Sequence, residues 1–568
     1  MFVTRLTRHW LFRLLAVTVA CNAASRVTAQ ELTFLLDNNG LSALRFGTEN
    51  FLPQAAQGRL VSGEATLRRK DGTTYKIASD TPLSTKLNAK DSRVTLSYAW
   101  GEISCRYAAD RVLEDGRFVA RLRLALTISN STPDTLVDPV ISVLEPLFAA
   151  PVKGRTLEAG MFGTGGALHP LQEFPLFAGS DSTAPVVLMD DGQQTLALCA
   201  ENSVAPLSVG VVHETDYGKH RQFLLQARFA FVPPQSKSNG EVSLRFGSAG
   251  DSFSTLANDV LTAYRRKVPF RVAWKDHRAI GALFLSGVGQ GGAKNPRGWF
   301  NDKNADFISA VGQIEFRHRL LKYADESIAV LRDMNAQGMI TWDAEGQQWP
   351  QTAYNGDPTQ IETLAPETAI LLNHQKAIDE YFARFRQAGF RVGVCIRPQE
   401  LKKVNGAWQQ TESRDVYQTL RRKIEYSKKR WDATLFYIDS TVDDKDKSPL
   451  PATIFEQLGR DFPDILMMPE NETARYYASS APLNSFADHN VSGTPQVVRE
   501  LYTQAFSVLL AGDGDFKTYH NQLVESIRRG DILLFRGWWN DPMNATIKSI
   551  YQEARSQPAA RRPLLQAP

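Results

Sequence analysis

The chain of 568 residues has little cysteine and histidine, with four of the former and nine of the latter. Cys105, Cys199 and Cys395 lie far apart, and no two cysteines form a Cys-x-x-Cys pair. This spacing argues against a zinc site or a disulfide scaffold. Because Cys105 and Cys199 lie in strand-like stretches, we expect them to be small core residues.

Long apolar runs are missing as well. The apolar stretch near the N terminus spans residues 14–24, which is shorter than the ~20 residues that a membrane-spanning helix needs. It follows three arginines and precedes small residues that end at Ala29, which is the pattern of a secretory signal peptide. The sequence predicts a signal peptide over residues 1–29, no membrane span, and a secreted or periplasmic protein. Lipidation at Cys21 is the less favoured alternative, because Thr18 stands where a large aliphatic residue is usual.

The rest of the chain also lacks an excess of charge of one sign. The formal net charge of +4 at pH 7 is carried by the predicted signal peptide, which has four arginines and no acidic residue: Arg5, Arg8, Arg13 and Arg26. A neutral remainder lacks the basic surface that attracts nucleic acid or an anionic membrane. We therefore expect neither as a partner.

The first half of the chain consists of short strand-like stretches separated by turn residues. In residues 118–129, for example, apolar and polar side chains alternate, which is typical of a strand with one buried and one wet face. Few helical stretches intervene. The pattern predicts an antiparallel β-sandwich over residues 30–270, with a helix at residues 252–268 near its end.

From about residue 278 the pattern changes, because apolar stretches now alternate with longer amphipathic ones. The eight apolar stretches are residues 280–287, 338–346, 391–398, 433–440, 465–471, 483–489, 506–515 and 530–541. Amphipathic stretches such as 377–389, 415–431 and 516–530 lie between them. Eight strands with intervening helices predict a (β/α)8 TIM barrel over residues 271–555. The tail, residues 556–568, is predicted to be disordered.

Polar residues follow almost every predicted barrel strand. They are Asp343 and Glu345, Arg397, Asp439, Glu470, Asp488 and His489, Asp513 and Asp515, and Trp538, Trp539 and Asp541. An acid after a strand is often only a helix cap or a turn former. Several carboxylates at one end of a barrel, however, repel each other unless a ligand or cation uses them. Because active sites of such barrels lie at the C-terminal ends of the strands, this set predicts a site.

A pocket lined by carboxylates and aromatic side chains suits glycoside cleavage, which needs two carboxyl groups. Asp439 and Glu470 end adjacent strands, which lie about 4.8 Å apart. We predict Asp439 as the nucleophile and Glu470, one methylene longer, as the general acid and base. The predicted substrate-binding residues are Asp343, Glu345, Arg397, Asp488, His489, Trp538 and Trp539. The tryptophans would stack on sugar faces, and Arg397 would hold a carboxylate ionised or bind a hydroxyl.

No cofactor or metal is predicted. A metal-dependent hydrolase on the same barrel would need further histidine ligands, and the first predicted strand has none. A structural Ca²⁺ near Asp443, Asp444 and Asp446 is an alternative to a solvated acidic loop, since clustered carboxylate oxygens suit that ion.

A large N-terminal sandwich followed by a barrel with an aspartate after strand four resembles several secreted, α-acting retaining glycosidases. The motifs that carry the resemblance are short: YID at 437–439, PEN at 469–471 and ADH at 487–489. The resemblance implies a galactose-mutarotase-like sandwich domain and a carbohydrate substrate, either an oligosaccharide or a glycoconjugate.

Two pairings of catalytic acids stay open. The endo-α-N-acetylgalactosaminidase and α-amylase-like groups pair a strand-four Asp with a strand-five Glu, as Asp439 and Glu470 would. The α-galactosidase-like enzymes pair it with a strand-six Asp, here Asp488. The α-amylase pattern also expects an arginine where Tyr437 stands, which argues against that group. A carbohydrate-binding protein without turnover is the alternative from another functional class.

Overall fold

The computed structural model describes residues 16–18, 32–52, 58–62, 65–77, 81–114, 116–137, 139–144, 147–148, 158–161, 185–190, 194–201, 207–217, 220–229, 231–348, 354–372, 374–442, 449–485, 493–537 and 541–556. The chain divides into two compact units, with Met1–Gly163 and Leu168–Lys267 in the first, and Thr164–Ala167 and Val268–Pro568 in the second.

The first unit is built from strands that pair only in antiparallel fashion where the structure describes them. In chain order they are β1 (Ala16–Thr18), β2 (Leu32–Asp37), β3 (Gly40–Phe46), β4 (Glu49–Asn50), β5 (Gly58–Arg59), β6 (Val61–Ser62), β7 (Ala65–Arg68), β8 (Thr74–Ile77), β9 (Ser84–Asn88), β10 (Arg93–Tyr98), β11 (Gly101–Glu114), β12 (Arg117–Asn130), β13 (Thr135–Val137), β14 (Val140–Leu144), β15 (Leu147–Phe148), β16 (Glu158–Met161), β17 (Val186–Asp190), β18 (Gln194–Ala200), β19 (Leu207–Tyr217), β20 (His220–Phe229), β21 (Phe231–Val232) and β22 (Lys237–Ser248).

The largest sheet of this unit has the order β16-β17-β18-β22-β12-β11-β10-β9, beside sheets of five, five and four strands. In β12 the buried side chains alternate with partly exposed ones from Leu122 to Ile128, as the sequence pattern predicts. Antiparallel, sandwich-like sheets are therefore confirmed. Cys105 and Cys199 are buried in this unit.

A buried arginine ties α1 (Phe253–Lys267), the one α-helix among the described residues of this unit, to the large sheet. The Arg245 guanidinium is inaccessible to solvent and lies 2.8 Å from Glu114, 2.7 Å from Glu201 and 2.7 Å from Asp259 of α1. Burial, more than the neighbouring Asp259, raises the pKa of Glu114 above its usual range. Removing the arginine would leave buried Glu114 without this cation.

The second unit contains twelve described strands and nine described α-helices. The strands are β23 (Ile280–Phe284), β24 (Gly338–Trp342), β25 (Leu371–Leu372), β26 (Gln375–Lys376), β27 (Arg391–Ile396), β28 (Glu400–Val404), β29 (Ala407–Thr411), β30 (Leu435–Ile438), β31 (Leu466–Pro469), β32 (Leu483–Ser485), β33 (Val508–Leu510) and β34 (Ile532–Arg536). The helices are α2 (Ala310–Asp333), α3 (Ile361–Leu364), α4 (Ala377–Gln387), α5 (Val416–Trp431), α6 (Ala452–Asp461), α7 (Gln496–Leu501), α8 (Asp515–Thr518), α9 (His520–Arg528) and α10 (Asn544–Ser556).

Eight of these strands form one parallel sheet in the order β31-β30-β27-β24-β23-β34-β33-β32. Apart from β31, each strand of this sheet pairs with the sheet strand that follows it along the chain, and β23 pairs with β34, so that the sheet curls into a nearly closed barrel. All eight predicted barrel strands are present. Their described parts are shorter than predicted. Asp439 and Glu470, for example, directly follow the last paired residues of β30 and β31, Ile438 and Pro469.

Two separate apolar clusters show that alternate residues of the strands face opposite sides of this sheet. Ile340, Leu435 and Tyr437 belong to the cluster inside the barrel. Met339 and Phe436, their neighbours in the chain, belong to the cluster that packs against the surrounding helices. This is the period of two that a strand imposes. It decides which residues beyond each strand end point into the barrel.

The barrel has one seam, since β31 and β32 share no strand hydrogen bonds among the described residues. Side chains occupy the region instead: buried Glu472 accepts hydrogen bonds from Tyr477 and from Asn484 of β32. Burial raises the pKa of Glu472 to about 7. Between β31 and β32 the chain forms only a 3₁₀ turn at Tyr476–Ala478, so the prediction of a regular (β/α)8 barrel is met in part.

No helix among the described residues is long and apolar enough to span a membrane.

Replacing Arg245 by methionine is expected to destabilise the first unit by about 3–5 kcal/mol, because it leaves the buried Glu114 carboxyl group without this cation. The matched control is Arg117→Met, which removes a cation that is 41% exposed and 2.7 Å from Asp251. The control should cost at most about 1 kcal/mol. Hydrogen exchange of the β12 and β22 peptides of the full chain, measured at increasing urea concentrations, checks this. Equal losses in the two variants would contradict it.

Candidate active site

An ion pair between two neighbouring barrel strands forms the centre of the site. The Asp439 carboxylate follows β30, and its Oδ2 accepts hydrogen bonds from Arg397 Nε at 2.7 Å and Nη2 at 2.6 Å. Its Oδ1 has a longer hydrogen bond of 3.3 Å from the Ser440 hydroxyl. Both members of the pair are largely buried. In this setting the guanidinium balances the charge of the carboxylate.

Glu470, which follows β31, lies next to this ion pair. Its Oε2 accepts a hydrogen bond of 2.7 Å from the backbone N–H of Ser440. Burial and the negative charge of Asp439 raise the pKa of Glu470, and a hydrogen bond to the Asp439 carboxyl group raises it further. The Ser440 N–H and the Arg397 charge act in the opposite direction. The result is a carboxyl group with a raised pKa beside one that is paired with a cation.

The alternation along the strands explains why these residues meet. Tyr437 faces the barrel interior, so Asp439, two residues on, faces the same way. Cys395 likewise places Arg397, and Met468 places Glu470. The side chains converge because parallel strands present their C-terminal ends at the same end of a barrel.

These residues line a cavity of about 620 Å³ at that end of the barrel. One wall is aromatic: Trp342 stacks on Phe284 with ring centroids 5.1 Å apart, and Tyr437 lies against Trp342 at 5.0 Å. Leu510, Phe516, Met543 and Ile547 also line the cavity. A largely apolar cavity with a few convergent polar groups is the usual form of a small-molecule site.

A second ion-pair group borders the same cavity. Arg536, at the end of β34, lies 2.6 Å from Asp513 and 2.5 Å from Asp541. All three residues line the cavity. This guanidinium thus already has two carboxylate partners.

Asp343 and Glu345, predicted to bind substrate, lie close to the site but are buried and do not line the cavity. Burial raises the pKa of Asp343 to about 7 and that of Glu345 to about 8. Asp343 Oδ2 accepts a hydrogen bond from Gln347, and Oδ1 has no hydrogen-bond partner. The φ angle of Asp343 is +53°, a left-handed conformation that aspartate tolerates in turns.

The other predicted substrate-binding residues, Asp488, His489, Trp538 and Trp539, lie outside the described residues. Asp443, Asp444 and Asp446, the alternative Ca²⁺ ligands, do so too. Among the described residues, no group of three or more His, Cys, Asp or Glu side chains is arranged to hold a metal ion.

Sequence reasoning missed several residues that surround the ion pair. Arg397 Nη1 donates to Gln410 of the β28–β29 hairpin at 2.8 Å, and Gln410 Nε2 donates to the Tyr354 carbonyl at 3.2 Å. Lys423 of α5 donates to the carbonyl of Arg397. None of these residues follows a barrel strand directly, so the strand-end pattern could not find them. A lysine at a buried position of an amphipathic helix is the one available signal.

No protein-family model matches the chain, and no curated protein matches it. Among solved structures, it is similar to a galactose 1-epimerase from Lactobacillus acidophilus NCFM (12% identity, TM-score 0.26, covering 42% of this chain and 99% of that one). It is also similar to a polysaccharide lyase (9% identity, TM-score 0.26, covering 42% of this chain and 35% of that one). A third similar structure is a β-arabinopyranosidase (8% identity, TM-score 0.28, covering 83% of this chain and 65% of that one). All three are carbohydrate-active enzymes. At these identities and TM-scores the function must be argued from the site itself.

Replacing Asp439 by asparagine is expected to lower the pKa of Glu470, because it removes the nearby negative charge that raises this pKa. Infrared titration checks this, with the carboxyl band of Glu470 identified by its loss in Glu470→Gln. The control is Asp513→Asn, which changes an acid that is paired with Arg536 across the cavity and should leave the midpoint in place. An unchanged midpoint in Asp439→Asn would contradict the coupling.

Replacing Glu345 by glutamine is expected to flatten the pH dependence of stability. Burial raises the pKa of Glu345 in the folded state from 4.5 to about 8, so ionising it opposes folding. The free energy of unfolding of the wild type should therefore fall as pH rises through this range. The stability gain of Glu345→Gln should grow over the same range in urea unfolding. Asp333→Asn, at a 67% exposed position, is the control, and parallel curves for wild type and Glu345→Gln would refute the expectation.

Proposed function

We propose that this protein is a glycoside hydrolase that cleaves α-linked glycosides with retention of configuration. Asp439 is the nucleophile, and Glu470 is the general acid and base. The observation that carries the proposal is the convergence of Asp439 and Glu470, at the ends of adjacent parallel strands, on the surface of one cavity, where Ser440 donates hydrogen bonds to both carboxyl groups.

The placement of the two acids at the ends of neighbouring strands favours the retaining mechanism, because such strands lie about 4.8 Å apart. A retaining pair of carboxyl groups is about 5–5.5 Å apart, whereas an inverting enzyme needs about 6.5–9.5 Å, so that water fits between one of them and the sugar. The longer Glu470 side chain would swing towards the leaving group when substrate enters.

The environments of the two acids divide their roles. Asp439 Oδ2 is held by Arg397, so Oδ1 is the oxygen available to attack. The raised pKa of Glu470 supports a protonated acid at the start of the reaction. Two carboxyl groups whose environments differ in this way are the recurrent arrangement in glycosidases.

In the first step Asp439 Oδ1 bonds to the anomeric carbon, while Glu470 transfers its proton to the departing glycosidic oxygen. In the second step Glu470, now ionised, takes a proton from water as the water oxygen attacks the anomeric carbon. The bond to Asp439 then breaks, and its electron pair returns to the carboxylate. Both acids regain their starting states.

The aromatic wall of the cavity supports a sugar substrate. Trp342, Phe284 and Tyr437 form a contiguous aromatic surface beside the two acids. Such surfaces bury the apolar faces of sugar rings, while the polar groups fix orientation. The α configuration is proposed from the resemblance to enzymes with a strand-four Asp and a strand-five Glu. Secretion or export to the periplasm, after removal of residues 1–29, belongs to the same proposal.

Hydrolysis of aryl α- and β-glycosides (galactoside, N-acetylgalactosaminide, glucoside and fucoside) tests the proposal. We expect one α-glycoside to be hydrolysed, Asp439→Asn to lower kcat by at least about 10⁴-fold, and Glu470→Gln to slow mainly substrates with poor leaving groups. Asp488→Asn is the comparison variant. If it, and not Glu470→Gln, is the crippling change, the α-galactosidase-like pairing replaces the one proposed. Binding of sugars without turnover by the wild type would favour a carbohydrate-binding protein.

A further inference from the structure

Lys423 of α5 is a completely buried lysine that the reaction scheme does not use. Its Nζ donates hydrogen bonds to three backbone carbonyl oxygens: those of Gly356 at 2.9 Å, Arg397 at 2.7 Å and Gln399 at 2.8 Å. A carboxylate oxygen of Asp357 lies 3.9 Å from it. The three N–H donors of an ammonium group are thus all used by the backbone.

An ammonium group in such a place is costly unless its bonds compensate for lost water. Burial lowers the pKa of Lys423 to about 8, although the charges of Asp357 and Glu345 favour its ionised form. A methionine or leucine would fill a helix position facing the core without this cost. The three hydrogen bonds to backbone carbonyls are therefore what a lysine provides at this position and an apolar side chain cannot.

The three carbonyls belong to the two segments that hold the backbone of Arg397. Two of them are the carbonyls of Arg397 itself and of Gln399, and the third, from Gly356, also accepts a hydrogen bond from the Arg397 N–H at 3.0 Å. Gly356 has a φ angle of +59°, and a Cβ atom there would lie 2.7 Å from the Arg397 nitrogen. The two segments thus meet at a contact that only glycine permits.

The side chain of Arg397 is fixed from its other end. Gln410 accepts from Nη1 and donates to the carbonyl of Tyr354, which belongs to the same segment as Gly356. The backbone and the side chain of Arg397 are therefore both anchored to the segment that contains Tyr354 and Gly356. Lys423 connects this segment to the residues that follow β27.

We propose that Lys423 is a positioning residue for catalysis, which sets the place of the Arg397 guanidinium against Asp439 through these three carbonyls. The expected effect of Lys423 on the reaction rate rests on the proposed function. Its effect on the position of Arg397 rests only on the hydrogen bonds described above. Groups that hold a catalytic side chain in place act through distances, and a shift of about 1 Å can cost on the order of 100-fold in rate.

The placement of Arg397 has a measurable signature in Glu470. Burial, the Asp439 charge and the hydrogen bond to Asp439 raise the pKa of Glu470, whereas the Ser440 N–H and the Arg397 charge lower it. Tyr437 is the other titratable group in contact with Glu470. If Arg397 moves away, one of the lowering contributions weakens. The pKa of Glu470 and the high-pH limb of activity, which reports its deprotonation, should then both move upwards.

The test compares Lys423→Met with the matched variant Gln337→Met in the full chain. Gln337 is also buried, and its Nε2 donates to two backbone carbonyls, at 2.8 Å and 2.6 Å. It directly precedes β24 and so lies at the opposite end of the barrel strands from Asp439. Both variants lose buried side-chain bonds to the backbone. Lys423→Gln, which keeps two donors, is the milder third variant.

We expect Lys423→Met to lower kcat by about 10- to 100-fold with a smaller change in KM, and to raise the infrared titration midpoint of Glu470. Lys423→Gln should show the same two effects at smaller size. If Lys423→Met does not fold, the kcat and the Glu470 midpoint of Lys423→Gln provide the test. Gln337→Met should lower the melting temperature without either effect. A Glu470 midpoint that stays at the wild-type value in folded Lys423 variants overturns the inference.

The infrared midpoint also separates the two proposals. If the wild type hydrolyses no glycoside, the proposed function fails, but the midpoint still reports whether Lys423 places Arg397. If the wild type is active and Lys423 variants lose only stability, as Gln337→Met does, the positioning role fails and the proposed function stands.

Discussion

The site depends on one geometric constraint, the period of two that an extended strand imposes on its side chains. In a sheet that curls around an axis, every second residue faces that axis. Tyr437 and Met468 face it within the strands, and Asp439 and Glu470, two residues further along, continue the same face directly after the strands end. A slip of one residue in β30 would bury Asp439 among the apolar side chains between sheet and helices.

Within that frame, one cation serves two acids. Arg397 contacts Asp439 directly and influences Glu470 only through its charge. The same guanidinium thus balances one carboxylate fully and the other weakly. That inequality, and not the identity of either acid, is what lets two similar groups perform opposite tasks at the same pH. In the deeper pair, Asp343 and Glu345, burial outweighs the charges of Arg397 and Lys423 and raises both pKa values.

The sequence predicts the strand ends well because their signal is local: a short apolar run followed by a polar residue. Asp439, Glu470 and Arg397 were found in this way. Gln410 and Lys423 could not be, since their importance comes from contacts with Arg397, which lies 13 and 26 positions away. The seam escaped prediction for a similar reason, because the apolar run of β32 resembles those of strands that pair on both sides. The roles of Asp488, His489, Trp538 and Trp539 stay predictions.

The pairing of β23 with β34 has a consequence for biosynthesis. Ile280 lies beside Leu534 in the sheet, so the first barrel strand gains its second neighbour only after almost the entire unit has left the ribosome. Until then one edge of β23 is open, and contacts between such distant segments are slow to form. An open apolar edge during synthesis is a template for pairing with other chains. During synthesis, the open edge of β23 must therefore be covered, or the barrel must close faster than the chains associate. In the finished barrel, β34 covers this edge.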